Sequence, residues 1–122
     1  RTSPCFATVA GDRTAARQYV LEGMQAFRKY DVQKSIELFD QAETADPTIA
    51  PFLWQRGLSL YYDDQFQQAS RQFRTDVQVN PVDVEEIVWD IASQLRIDST
   101  SYPVPNQLSL PAGRRDPRRI MV

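Results

Sequence analysis

The chain has 122 residues, enough for one small domain, and its formal net charge of −2 gives no general attraction to nucleic acid. It contains no histidine, the commonest general base and metal ligand, and its single cysteine, Cys5, excludes a disulfide within the chain. No apolar run approaches the ~20 residues that a membrane-spanning helix needs, so we expect no transmembrane segment. We expect the Cys5 thiol to be inert, with an intermolecular disulfide or a thiol sensor as the alternative.

Hydrophobic periodicity predicts five helices and an all-α fold. The helices cover about residues 14–29, 32–45, 50–62, 65–77 and 84–95. Asp12 or Thr14 is expected to cap the first helix, Asp31 the second and Asp83 the fifth. The third helix is expected to tolerate Pro51 in its first turn.

Residues of the same kind recur 34 positions apart. The matching pairs are Gly23 with Gly57, Phe39 with Phe73, and Pro47 with Pro81. A period of this length, with an early glycine, a later aromatic residue and a closing proline, is typical of stacked helical hairpins. Such stacks present surfaces and have no built-in chemistry, so the pattern predicts a binding function.

The pattern resembles the tetratricopeptide repeat (TPR) family over about residues 16–95. The first repeat supplies Tyr19, Gly23, Ala26, Ser35, Phe39, Ala42 and Pro47, and the second supplies Leu53, Gly57, Leu60, Ala69, Phe73 and Pro81. The chain departs from the family at Glu22 and Arg56, where the pattern has leucine, and at Asp76, where it has a small residue. A generic helical bundle that happens to repeat is the alternative.

The resemblance implies an α-solenoid of two hairpins and a capping helix. Its parts are an N-terminal extension at 1–11, a TPR domain at 12–97 and an extended C-terminal tail rich in proline and arginine at 98–122. Within the domain, repeat one covers about 16–49, repeat two about 50–83 and the capping helix about 84–95.

Two stretches, residues 52–62 and 72–81, are similar more narrowly to small plastid-targeted TPR proteins of algae and plants. This resemblance implies a chloroplast location, in the thylakoid lumen or the stroma, with the cytoplasm as the alternative. It also implies membership of a thylakoid, photosynthetic assembly without naming the partner.

In this family the first helix of each hairpin lines a concave groove. The resemblance therefore implies a groove of mainly apolar and aromatic residues, made by Val20, Met24, Phe27, Trp54, Gln55, Leu58, Tyr61 and Tyr62. Family members that clamp a terminal carboxylate carry Lys, Asn and Arg where this chain has Val20, Met24 and Gln55, which argues against that clamp. The groove is expected to hold either the chain's own tail, at 102–105 or 108–110, or an extended or helical segment of a partner.

The tail carries an arginine cluster with three interpretations. Its members are Arg114, Arg115, Arg118 and Arg119. The cluster is a solvated end, a docking element for an acidic surface, or a contact with anionic lipid or nucleic acid. No aromatic residue is interleaved with it, which disfavours nucleic acid as a partner.

Nothing in the sequence predicts an enzyme, a cofactor or a metal site. The paired acids Asp63-Asp64 and Glu85-Glu86 are adjacent in sequence and do not face each other across a cleft, so they are interpreted as turn and first-turn charges. The predicted function is an accessory or adaptor subunit that binds proteins of a multisubunit complex. The alternatives are a transient assembly factor and a non-catalytic fragment of a larger regulatory protein. A homo-oligomer and peripheral membrane association through a complex both stay open.

Overall fold

The computed structural model describes residues 12–99 and 107–109, and this part of the chain is helical with no strand. Its elements are α1 (Arg13–Arg28), α2 (Val32–Ala45), a 3-10 helix (Pro47–Phe52), α3 (Trp54–Tyr62), α4 (Phe66–Val79) and α5 (Val84–Ile97). The predicted all-α class is confirmed. The extension at 1–11 and the arginine cluster lie outside the described residues.

Three aspartates begin helices as predicted. The side chains of Asp12, Asp31 and Asp83 each accept a hydrogen bond from the amide three residues ahead, at 3.0, 3.2 and 3.1 Å. Each bond satisfies one of the amides that a helix leaves free in its first turn. Thr14, the alternative cap, lies within the first turn of α1.

The third helix begins later than predicted. Instead of starting near Ala50, the chain forms the 3-10 helix first and enters α3 only at Trp54. Pro51 disfavours α-helical geometry at Ala50, the residue before it, and Leu53 then leaves the helical backbone region with a ψ of 49°. Asp46 further favours the tight turn, because its carboxylate accepts a bond from the amide two residues ahead at 3.1 Å.

The chain forms two helical hairpins, α1–α2 and α3–α4, and the same type of turn connects the two helices within each hairpin. Tyr30 and Asp64 are one repeat period apart, and both adopt positive φ, at 66° and 60°. The amide that follows each of them bonds the carbonyl five residues earlier, at 2.9 and 2.8 Å. The sequence period is therefore also a period of backbone structure.

Each hairpin is closed by a glycine facing a phenylalanine. A methyl group added at Gly23 would lie 2.7 Å from the Phe39 ring, and one added at Gly57 would lie 2.6 Å from the Phe73 ring. Both rings are fully buried. Only a residue without a side chain lets the two helices approach this closely, which explains why the glycines recur.

The α5 helix packs against α4 and does not begin a third such contact. Trp89 on α5 stacks on Phe73, with ring centroids 6.4 Å apart. One period after Gly57 the chain has the half-buried Ile91, and one period after Phe73 it has the exposed Gln107. The described residues thus contain the glycine–phenylalanine contact twice.

Candidate binding surface

An apolar recess of about 580 Å³ opens between the two hairpins and α5. We call it the aromatic recess, and its lining residues are Phe27, Arg28, Tyr30, Val32, Leu58, Tyr62 and Trp89. Its volume lies in the range of binding pockets for small ligands or side chains. Arg28 is its one charged lining residue.

Trp89 is held in the aromatic recess by rings on three sides. Besides stacking on Phe73, it meets Tyr61 edge to face at 5.2 Å and lies 6.3 Å from Tyr62. Offset and edge-to-face contacts between aromatic rings add to the energy of burying them. The indole is therefore held by contacts within the chain itself.

Two tyrosines form the accessible part of the recess. Tyr62 is 58% exposed although its ring lies 5.8 Å from Phe27, so it spans the gap between α1 and α5. Tyr30, at the positive-φ position of the first turn, is 92% exposed. Large aromatic side chains left in water beside an apolar recess are typical of interaction surfaces.

The eight residues of the predicted groove fall into several places. Phe27, Leu58 and Tyr62 line the aromatic recess. Met24 and Gln55 lie between α1 and α3, where the Gln55 amide nitrogen is 3.7 Å from the Met24 sulfur.

The other three lie elsewhere. Val20 lines a second recess, described below, and Trp54 is exposed at the start of α3. Tyr61 packs on the hydrophobic cluster of Leu60, Ala69 and Phe73. The structure thus brings together three of the predicted groove residues around the aromatic recess.

Four lining residues were missing from the sequence-based groove: Arg28, Tyr30, Val32 and Trp89. Two of them carry a signal in the repeat period, because Trp89 lies one period after Gln55 and Arg28 lies one period before Tyr62. Extending the groove by one period in each direction would have found them. Tyr30 and Val32 belong to the turn and the second helix, whereas the predicted groove was drawn from the first helix of each hairpin.

The second recess, called the end recess, lies between α1 and the 3-10 helix and encloses about 540 Å³. Its lining residues are Arg13, Ala16, Arg17, Val20, Leu21, Asp46, Thr48, Ile49, Phe52 and Leu53. The buried Ala16 and Leu53 form its floor, while Leu21 and Phe52 stand exposed at its edge.

One buried carboxyl group has an altered proton affinity. Burial raises the pKa of Asp76 to about 7, although a hydrogen bond from Gln72 and the charge of Arg56 oppose this. The Asp76 side chain accepts from the Gln72 amide at 2.8 Å through one oxygen, and its other oxygen has no hydrogen-bond partner. Asp76 lies one period after the buried Ala42, so the second hairpin holds a carboxyl where the first holds a methyl.

The paired acids occupy the positions expected of turn and helix-start residues. Asp63 accepts a hydrogen bond from the Gln65 side chain at 2.6 Å, and Asp64 lies 3.9 Å from the Arg96 guanidinium. Glu85 and Glu86 stand in the first turn of α5. Within residues 12–99 and 107–109, no group of three or more acids or cysteines is placed to hold a metal ion.

Of the tail segments proposed to fill the groove, only residues 108–109 are described, and Leu108 is half-buried between the exposed Gln107 and Ser109. None of the described helices is both long and apolar enough to cross a bilayer. Comparisons with protein-family models, with curated proteins and with solved structures found no match to this chain.

Proposed function

We propose that the chain is a protein-interaction scaffold whose aromatic recess holds an extended or helical apolar segment of another protein. The observation that carries this proposal is the prearranged cluster of Phe27, Tyr62 and Trp89, which surrounds a recess of about 580 Å³ and leaves a tyrosine ring in water. On this proposal the chain acts as an accessory or adaptor subunit.

The chemistry of the recess favours an apolar peptide. Rigid aromatic side chains supply contact area at a small cost in conformational entropy, and aromatic-lined grooves suit proline-rich or helical segments. Arg28 adds one set of hydrogen-bond donors at the wall, which fits a carbonyl or carboxylate oxygen of the bound segment. We therefore expect a ligand with a large apolar side chain and an acceptor group close to it.

We further propose that the two hairpins and α5 form a solenoid of the TPR type. The repeated turn at Tyr30 and Asp64 and the repeated glycine–phenylalanine contact support this arrangement. The resemblance of residues 52–62 and 72–81 to plastid proteins supports a chloroplast assembly as the source of the bound segment.

The test is a photocrosslink from the recess to its ligand. Tyr62 is replaced by p-benzoylphenylalanine, and Glu37, exposed on the outer side of α2, is replaced in the same way as a control. We expect the position-62 probe to capture a defined apolar segment in an extract of the source organism and the position-37 probe not to capture it.

A synthetic peptide of the captured segment then allows a direct measurement. In a Trp54→Ala chain, Trp89 is the only remaining tryptophan, so its fluorescence reports on the aromatic recess alone. We expect Tyr62→Ala to weaken peptide binding at least tenfold and Trp54→Ala to leave it unchanged. A crosslink to residues 98–122 of the same chain, or an equal loss from both substitutions, would contradict the proposal.

A further inference from the structure

The end recess is an apolar surface at the start of the hairpin stack. Leu21 and Phe52 are 56% and 62% exposed at its edge, and Val20 and Ile49 are half-buried within it. Isolated apolar side chains are normal on a protein surface, but a contiguous set around a recess of about 540 Å³ indicates that something covers it.

The repeat shows why Leu21 is exposed. Leu21, Gln55 and Trp89 occupy the same position in successive repeats, each one period after the last. Gln55 contacts Met24 of the hairpin before it, and Trp89 contacts Tyr61 of the hairpin before it. Residues at this position therefore pack against the preceding hairpin. The described residues contain no hairpin before Leu21.

The chain that precedes α1 leaves the helical body beside this recess. The amide of Asp12 donates to the Ala45 carbonyl at 2.6 Å, which fixes the start of α1 next to Asp46. Both Arg13 and Asp46 line the end recess. From Asp12 back to Phe6 the chain can span up to ~20 Å, whereas Leu21 lies only ~12 Å along α1 from Arg13. The segment before Asp12 is therefore long enough for Phe6 to contact Leu21.

The composition of residues 2–11 suits an apolar recess. The stretch holds Phe6 and Val9 among small residues and carries no charged side chain. It does not continue the repeat, because the repeat register places Cys5 where the hairpins have Phe39 and Phe73.

A buried acceptor in the end recess also needs a donor. The Oδ1 atom of Asp46 accepts from Thr48, but Oδ2 is buried without a hydrogen-bond partner. Buried polar atoms are nearly always paired in folded proteins. An incoming backbone amide or the Thr8 hydroxyl would supply the missing bond, which a purely apolar occupant could not.

We propose that the chain's own segment Phe6–Val9 occupies the end recess, with the Phe6 ring against Leu21 and Phe52. For Leu21 the segment supplies the contact that Gln55 and Trp89 each make with the hairpin before them. This inference goes beyond the proposed function, because it concerns a different surface and an occupant from the same chain.

Cys5 gives a direct test, because it is the only thiol in the chain. A nitroxide attached to Cys5 of the 122-residue chain broadens the NMR signals of nearby nuclei, and reduction of the label gives the reference. We expect the methyl signals of Leu21 and Ile49 to lose more than four-fifths of their intensity. The intensity of the Trp89 indole signal should not change.

Two controls identify the occupant. Phe6→Ser in the labelled chain should restore the signals of Leu21 and Ile49, and in the unlabelled chain it should shift the same signals, which excludes an effect of the label. Mixing isotope-labelled chains with nitroxide-labelled, isotope-free chains should give no broadening. Broadening in that mixture would assign the recess to a second copy, and uniform or absent broadening in the first experiment would also overturn the proposal.

Discussion

Arg56 and Asp90 occupy the same position in successive repeats, one period apart, and carry opposite charges. The ion-pair partners of these two residues also carry opposite charges. Arg56 lies 3.1 Å from Asp40, and Asp90 lies 3.1 Å from Arg74. Asp40 and Arg74 are themselves one period apart. The contact between α2 and α3 is thus repeated between α4 and α5 with its charges reversed. A mistaken stacking of α2 on α5 would bring Asp40 against Asp90, so the exchange favours one order of helices.

Reversing the charge of Asp90, the buried member of the pair Arg74–Asp90, should destabilise the fold strongly. Asp90→Arg places two guanidinium groups together where the native carboxylate is fully buried, so we expect a loss of about 3 kcal/mol or more in the free energy of unfolding. Adding Arg74→Asp recreates the arrangement of Asp40 and Arg56 and should recover at least half of that loss. Urea unfolding of the single and double variants measures both values.

The control for this prediction is Asp40→Arg, because the Asp40 side chain is largely exposed and exposed ion pairs contribute at most about 1 kcal/mol. Additive effects of Asp90→Arg and Arg74→Asp would show that the two side chains are not coupled, and the interpretation of the charge exchange would be wrong.

Asp76 should make stability depend on pH. Its folded-state pKa of about 7 exceeds the ordinary value of 3.8, so between these values the folded chain binds more protons than the unfolded chain. The contribution of Asp76 is therefore full below pH 4 and is lost as pH rises towards 7 and above, with a slope of at most about 1.4 kcal/mol per pH unit.

The variant Asp76→Asn should remove this slope. The measurement is the free energy of unfolding from pH 4 to 8, taken as a difference from the parent chain so that other groups cancel. Asp31→Asn, which keeps a good N-cap residue, is the matched control for replacing an aspartate by an asparagine. A pH profile unchanged by Asp76→Asn would contradict the raised pKa.

Adding one methyl group between the helices of a hairpin should be costly. In an exposed helix, Gly→Ala stabilises by about 1 kcal/mol, but Gly57→Ala places a carbon 2.6 Å from the Phe73 ring. Trp89 stacks on that ring and restricts its movement. We therefore expect a loss of about 1–3 kcal/mol, the usual range for overpacking.

Thermal unfolding of Gly57→Ala measures the effect, and Gly23→Ala repeats it against Phe39. A second substitution, Phe73→Leu, removes the ring and should reduce the cost of the added methyl. A gain in stability on Gly57→Ala would show that the close approach of the two helices is not needed.

Replacing Tyr30 should separate stability from binding. A side chain at positive φ costs about 1–2 kcal/mol, so Tyr30→Gly should raise the free energy of unfolding by about 1 kcal/mol. The same change removes a ring from the aromatic recess and should weaken binding of the captured peptide. Denaturant unfolding and peptide titration on one preparation test both statements.

The matched variant is Asp64→Gly at the second turn. Aspartate tolerates this backbone conformation better than tyrosine does, and Asp64 lies near Arg96, so the gain there should be smaller. Because Asp64 does not line the recess, peptide binding should not change. A loss of stability on Tyr30→Gly would show that the exposed ring contributes to the fold.

The sequence predicts best those features that depend on local residue types. The three aspartate caps and the positions of α2 and α5 follow from side-chain chemistry and periodicity close to each residue. The predicted start of α3 was wrong, because Pro51 disfavours α-helical geometry at the residue before it although the pattern of apolar residues there is compatible with a helix. A proline in the sequence does not by itself show whether an α-helical or a 3-10 turn will form around it.

Features of the candidate binding surface were harder to predict, because they depend on contacts between residues distant in sequence. Tyr61 and Tyr62 are neighbours with the same side chain, yet one packs on the core cluster and the other stands in the aromatic recess. Successive residues of a helix point about 100° apart, and the way α3 lies on α4 and α5 decides which of the two faces the core. The raised pKa of Asp76 likewise requires knowing that the position is buried.

The two glycine–phenylalanine contacts also bear on how the chain folds. Each joins residues only 16 positions apart, so the tightest packing in each hairpin forms within a short loop. Short loops cost little entropy to close, and helical proteins dominated by local contacts fold within microseconds to milliseconds. Folding can therefore begin in either hairpin, because each contains its own short-range contact.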